Sequence, residues 1–154
     1  MRLLCDEMLG RLARWLRLLG LDVAYVQHVH DDELLRVAAA EDRLLLTRDE
    51  ALAARAGGRA VLVRALEPEE QLREVVRSLA LAPDPAAIMS RCSLCNALLV
   101  AATRDQAAPH VPASVAAAHE RYWRCPACDR YYWRGTHAVR IEAVLRDLAG
   151  ERGP

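Results

Sequence analysis

Apolar positions recur along the first half of the chain in two alternating rhythms. Short runs at Arg2–Cys5, Asp22–Val26, Leu44–Thr47 and Ala60–Val63 have the length of buried strands. Between them the spacing changes to three and four residues. Leu9, Leu12, Ala13, Leu16 and Leu19 form one stripe within Glu7–Leu19. Leu34, Leu35, Val37 and Ala38 form another within Asp31–Ala40. Leu72, Val75, Val76 and Leu79 form a third after Pro68, a residue that suits a first helical turn. A short helix is expected over Glu50–Ala56, ending at Gly57-Gly58. Arg11, Arg14 and Arg17 fall largely off the first stripe, and Gly20 stands where it stops that helix. Strands alternating with helices predict right-handed crossovers and a mostly parallel sheet, so the expected fold class is α/β. Ala82-Pro83-Asp84-Pro85 breaks the pattern as a linker, and divides the chain into expected units at 1–85 and 86–154. The second should close with a helix over Ala138–Leu148.

Composition adds little, but the distribution of charge is informative. The formal charge is zero and every basic residue is Arg. Residues 1–85 carry 12 Arg against 15 acids, a net of −3, while residues 86–154 carry 9 Arg against 6 acids, a net of +3. An acidic unit is followed by a basic one. Arg2, Asp6 and Glu7 interrupt the start before a signal-type apolar run forms, and no stretch approaches the roughly 18 apolar residues of a membrane span. The expectation is a cytoplasmic protein with reduced thiols and no membrane partner.

Three places carry acids at strand-to-helix junctions. Asp6 follows the first strand, Asp31 lies between the second strand and its helix, and Asp49 follows the third strand in Thr47-Arg48-Asp49. In a parallel sheet these junctions share one edge, where open α/β folds place their sites. Gathered carboxylates repel one another unless a hard divalent cation such as Mg²⁺ or Mn²⁺ neutralises them. Such a cation activates water and stabilises charge on a phosphodiester. The competing explanation is capping: Asp31 and Asp49 are natural N-caps, and Asp32 and Glu33 suit the first turn of a helix. Asp6 fits capping less well, because an acid directly after a buried strand needs a partner.

Two cysteine pairs give the sharpest signal. Cys92-Ser93-Leu94-Cys95 and Cys125-Pro126-Ala127-Cys128 have the spacing by which two knuckles close a tetrahedral, structural zinc site, with an iron–sulfur centre or a redox pair as the alternatives. The 29 residues between the pairs leave room for a loop or short helix around Pro112–His119. His110, His119 and His137 are spare ligands, needed only if a cysteine were displaced. Cys5 reads as an ordinary core residue.

Five of the seven aromatic residues, Tyr122, Trp123, Tyr131, Tyr132 and Trp133, lie between Arg121 and Arg134, with Arg124 and Arg130 interleaved. Arginine pairs with phosphate and aromatic rings stack on unpaired bases, so this segment is a candidate surface for single-stranded RNA, with Arg121, Arg124, Arg134 and Trp133 as contacts. The alternative is that a small ribbon spends its aromatics on covering the metal.

Along the chain come Asp6-Glu7-Met8-Leu9, Trp15-Leu16-Arg17 with Gly20, Asp31-Asp32-Glu33-Leu34-Leu35 and Leu46-Thr47-Arg48-Asp49. Arg91-Cys92-x-x-Cys95-Asn96, Cys125-Pro126-x-Cys128 and Tyr132-Trp133-x-Gly135-Thr136-His137 follow in order. This set resembles the Mut-seven C-terminal RNase domain family over nearly the whole chain. The resemblance implies a PIN-like nuclease fold with a zinc ribbon, and a metal-dependent ribonuclease whose acids match Asp6, Asp31 or Asp32, and Asp49. Glu50 is a candidate fourth acid, and Thr136 stands where the family more often has Ser. The expected protein is therefore an Mg²⁺- or Mn²⁺-dependent endoribonuclease with a structural zinc and RNA as its partner. The alternatives are a non-catalytic RNA-binding or ribosome-associated module, and a toxin-like nuclease held by an antitoxin.

Overall fold

Leu3, Leu4 and Cys5 are fully buried in β1 (Arg2–Cys5), as are Leu45, Leu46 and Thr47 in β3 (Leu44–Thr47). Strands this apolar on both faces belong in the middle of a parallel sheet covered by helices. The sheet order is β2-β1-β3-β4, with β2 at Asp22–Tyr25 and β4 at Ala60–Leu62, and every pairing is parallel. Leu3 stands opposite both Val23 and Leu44, and Leu45 opposite Ala60. The computed structural model describes residues 1–82 and 84–151, without the side chains of His137 and of residues 148–151. Pro83 of the expected linker and residues 152–154 lie outside the described residues, as does the side chain of the candidate ligand His137.

The chain forms two units, one of Met1–Arg17 with Leu21–Ala82 and one of Leu18–Gly20 with residues 83–154. In the first unit, helices α1 (Gly10–Leu18), α2 (Asp31–Ala40), α3 (Glu50–Ala56) and α4 (Pro68–Ser78) follow the four strands in turn. The stripe expected over Glu7–Leu19 begins differently, as a 3-10 turn at Glu7–Leu9 capped by Asp6. Leu9, Leu12, Ala13 and Leu16 are all fully buried. Gly20 takes a φ of +87°, and the Leu21 N–H reaches back 3.1 Å to the Leu16 carbonyl, which ends α1 as the glycine predicts. Leu4, Leu34, Ala38, Leu45 and Leu52 form one packed cluster between sheet and helices. Burying each leucine there is worth about 1.5–3 kcal/mol. Among the described residues, no helix is long and apolar enough to cross a membrane.

The N-terminal edge of this sheet is locked by charge pairs. Arg43, 6% exposed, donates to the Leu3 carbonyl at 3.1 Å, to Asp22 at 2.7 Å and to Glu41 at 2.6 Å. A buried guanidinium needs its donors satisfied, and these three acceptors do that. The opposite, C-terminal edge carries the candidate acids.

In the second unit a three-stranded antiparallel sheet runs β5 (Val100–Ala102), β6 (Tyr122–Arg124) and β7 (Tyr131–Trp133) in that order. Between β5 and β6 lie α5 (Arg104–Ala107), a 3-10 turn at Ala108–His110, and α6 (Ala113–Ala118). The short helix falls where the length of the loop suggested one. Tyr122 is almost completely buried, and its hydroxyl donates to the Val115 carbonyl at 2.9 Å, tying α6 to β6. Helix α7 spans Thr136–Glu151, starting two residues before the expected Ala138.

Candidate active site and metal centre

Strand order decides what meets at the C-terminal edge. The chain passes from β1 to β2 on one side, then crosses to β3 on the other side of β1. The crevice at such a reversal is where open α/β sheets bind ligands. Asp6 follows β1 and Asp49 follows β3, so the two flank this reversal. Asp6 is 6% exposed and accepts from the Met8 N–H at 3.0 Å and from the hydroxyl of Thr47. The same hydroxyl accepts the Asp49 N–H at 3.0 Å. Thr47 is fully buried and connects both acids. Asp49 is exposed and caps α3 through a 2.9 Å bond from the Leu52 N–H.

Asp31 and Asp32 are placed differently. The N-cap position of α2 is His30, so Asp31 is not the cap that its place in the sequence suggested; it is the first helical residue. Both carboxylates, exposed, are ion-paired to Arg55 of α3, Asp31 at 3.2 Å. Glu50 pairs with Arg64 at 3.1 Å. Among the described residues the acids form no group of three oxygens close enough to hold one ion; the cysteines do form such a group.

Cys92, Cys95, Cys125 and Cys128 bring their sulfurs within 4.8 Å of one another. Sγ–Sγ separations are 3.6 Å for Cys92–Cys128, 3.4 Å for Cys95–Cys125 and 4.0 Å for Cys95–Cys128. Four sulfurs about 2.3 Å from one tetrahedral zinc stand about 3.8 Å apart. The observed values straddle that spacing and are far too long for disulfides. Four cysteines this close can hold a metal such as zinc. His110 and His119 are not part of the group.

The two knuckles are built alike. Cys92 N–H donates to the Ala97 carbonyl and Cys125 N–H to the Arg130 carbonyl, each at 2.8 Å. Asn96 and Asp129, the residues just after each pair, take left-handed φ values of 69° and 55°. Asn and Asp tolerate that conformation best among residues other than glycine. In each case the Arg before the first cysteine holds this turn: Arg91 donates to the Asn96 carbonyl at 2.9 Å, and Arg124 to the Asp129 carboxylate at 2.5 Å. Burial opposes ionisation of Cys92. Hydrogen bonds from the Cys95 backbone and the Tyr132 hydroxyl outweigh it and bring the thiol down to about 6. Burial, with the Cys125 contact next, pushes Cys128 up to about 12. Cys5 is held protonated by burial and by neighbouring Asp6.

The aromatic segment is largely engaged. Tyr132 lies 3.0 Å from Cys92 Sγ and 3.3 Å from the Ser93 hydroxyl. Tyr131 stacks on His110 at 4.9 Å with 7° between planes. Arg121 lies 5.9 Å from the Trp123 ring centroid, and Arg134 pairs with Glu142 at 2.6 Å. Trp133 is half-buried.

Sequence reasoning missed the roles of Thr47, Arg55 and Tyr132. Thr47 had left a trace, as a hydroxyl at the end of an otherwise apolar Leu-Leu-Leu strand. Arg55 had left none.

An α/β parallel sheet with acids at its switch point is accompanied by four cysteines able to bind a metal such as zinc. The profile of the Mut7-C RNAse domain matches residues 1–145, and the chain belongs to that family. Neither a curated protein nor a solved structure matches it.

Proposed function

We propose that this chain is a divalent-metal-dependent endoribonuclease in which Asp6 and Asp49 hold Mg²⁺ or Mn²⁺ and Asp31 or Asp32 assists. Membership in an RNAse domain family supports a nuclease role with RNA as the substrate. The observation that carries the assignment to this edge is the Thr47 hydroxyl, bonded at once to the Asp6 carboxylate and the Asp49 backbone. Asp6 and Asp49 offer the hard oxygens that Mg²⁺ and Mn²⁺ prefer, and such a cation supplies phosphate charge stabilisation and water activation. The chain's own residues do the positioning. Thr47 fixes the Asp6 side chain and the start of α3. The Met8 N–H takes a second Asp6 lone pair, leaving the rest of the carboxylate for the ligand. Arg55 offsets one of the two negative charges of the Asp31–Asp32 pair, and a guanidinium that pairs with carboxylates suits a phosphate equally.

In this reading the four cysteines hold a structural zinc. With four sulfur donors there is no open position for chemistry, so the ion stabilises the ribbon. The ribbon supplies RNA affinity through Arg121, Arg124, Arg134 and Trp133, because an acidic edge repels phosphate before the cation binds.

The test is RNA cleavage by purified protein with and without Mn²⁺, beside an Asp6→Asn variant of unchanged melting temperature. Cleavage should need Mn²⁺ and should vanish in the variant. Absence of cleavage, or cleavage indifferent to Asp6→Asn, overturns the assignment. One observation favours a second reading, a non-catalytic RNA-binding module: Asp6 and Asp49 both cap helical turns, and Asp31 and Asp32 are satisfied by Arg55. That reading requires RNA binding without Mn²⁺-dependent cleavage.

A further inference from the structure

The second unit contains a cavity of about 250 Å³ that neither acids nor zinc ligands account for. Its walls include Tyr131, Tyr132 and Trp133, with Ser93, Gly135 and Thr136, over an apolar floor containing Met89 and Ala138. Drug-sized ligands take cavities of roughly 300–1,000 Å³, so this one suits a single flat group.

Two features make the cavity a formed one. A Cβ on Gly135 would lie 2.9 Å from Trp133 Nε1 and 3.3 Å from Trp133 Cδ1, so only glycine lets the indole lie against the backbone. The Gly135 N–H bonds to the Trp133 carbonyl at 2.9 Å, fixing the turn that carries the ring. Tyr132 is anchored by its hydroxyl to Cys92 and Ser93. Aromatic walls are therefore held in place by backbone and metal knuckle. The Ser93 and Thr136 hydroxyls add groups that can donate to or accept from a polar edge.

Charge indicates the occupant. Arg130 and Arg134 flank the three aromatics in sequence, are both exposed, and belong to the half of the chain with a net charge of +3. Arg134 rests on Glu142 at 2.6 Å, an ion pair exposed on the arginine side that a phosphate can replace. A flat, edge-polar group attached to a phosphate chain matches that surrounding. We propose that this cavity takes one unstacked RNA base, sandwiched against Trp133 while the flanking arginines meet its phosphates. The inference rests on the reading of the ribbon as an RNA-binding element and adds a defined base site to it.

The experiment uses zinc-loaded full-length protein without added Mn²⁺. Anisotropy compares a labelled oligoribonucleotide of about eight nucleotides with its abasic counterpart, at several salt concentrations. Wild type should bind the base-bearing strand roughly tenfold more tightly than the abasic strand. Gly135→Ala displaces the indole and Thr136→Leu obstructs the cavity at an exposed position. Each should remove most of that tenfold difference, leaving abasic binding and the salt slope unchanged. Far-UV circular dichroism and zinc content check that both variants are folded. Equal affinity of wild type for the two strands overturns the base site while leaving RNA binding intact. Two folded variants that still discriminate like wild type do the same. Failure of wild type to bind either strand overturns the base site and the RNA reading of the ribbon together.

Discussion

Thr47 donates a hydrogen bond to the buried carboxylate of Asp6, 41 positions earlier in the chain. Since the same oxygen accepts the Asp49 N–H, one hydroxyl sets the geometry of the edge between β1 and β3. Thr47→Val keeps the shape and removes the hydroxyl, leaving a buried carboxylate one partner short. Unfolding free energy should fall by about 1–3 kcal/mol in denaturant titrations, and Thr47→Ser should recover most of it. A Thr47→Val protein as stable as wild type would mean that the bond contributes nothing to the fold.

Asp49 caps α3, and the proposed function gives it a second, separable role at the cation. Asn caps a helix about as well as Asp, whereas Ala costs about 1 kcal/mol. Asp49→Asn should therefore melt within about 0.5 kcal/mol of wild type, and Asp49→Ala should be less stable by about twice that or more. Under the proposed function both should lose Mn²⁺-dependent cleavage, since neither carries the negative charge that the cation would need. Full activity in Asp49→Asn would confine the residue to capping.

Arg55 is exposed and holds Asp31 and Asp32. Its removal should change stability by less than about 1 kcal/mol, as for exposed ion pairs generally. It should also tighten Mn²⁺ binding measured by calorimetry, because two acids lose their competing cation. Unchanged or weaker Mn²⁺ affinity in Arg55→Ala would exclude Asp31 and Asp32 from the metal edge.

Protein purified without added metal should contain one zinc per chain by elemental analysis. Cys92→Ser with Cys125→Ser should abolish it and loosen the second unit, since metal binding and folding are coupled in small metal-held units. Full zinc occupancy in that double variant would be incompatible with the four-sulfur site.

Arg91 and Arg124 occupy equivalent positions before their cysteine pairs and hold the following turns. Arg124→Ala should therefore weaken zinc retention against a chelator, as Arg91→Ala should, whereas Arg121→Ala should leave retention unchanged. In RNA titrations, Arg121→Ala should reduce the single-strand salt slope by about 0.7, the value of one phosphate contact. Equal zinc retention in Arg124→Ala and Arg121→Ala would mean that the Asp129 pair is incidental.

Local pattern determined most of the elements. The helices at Asp31–Ala40 and Glu50–Ala56 and the strand at Leu44–Thr47 are found at the expected residues, because short-range periodicity decides them, joined by the Asp49 cap in the case of Glu50–Ala56. The cysteine group was equally legible, since two-residue spacing builds each knuckle locally and the pairs need only meet. Tertiary structure decided the rest. Strand order put β1 beside β3, so Thr47 reaches Asp6, and no local signal carries that pairing. Arg55 meets Asp31 and Asp32 across 24 and 23 positions, through packing of α3 against a sheet whose order the sequence leaves open. The aromatic segment looks uniform in sequence, yet its rings have different partners: Tyr122 anchors α6, Tyr131 stacks on His110 and Tyr132 touches Cys92, the last two also lining the cavity with Trp133. Residues adjacent in a strand point to opposite faces, and what lies on each face comes from distant parts of the chain, so their partners exist only once the ribbon has folded.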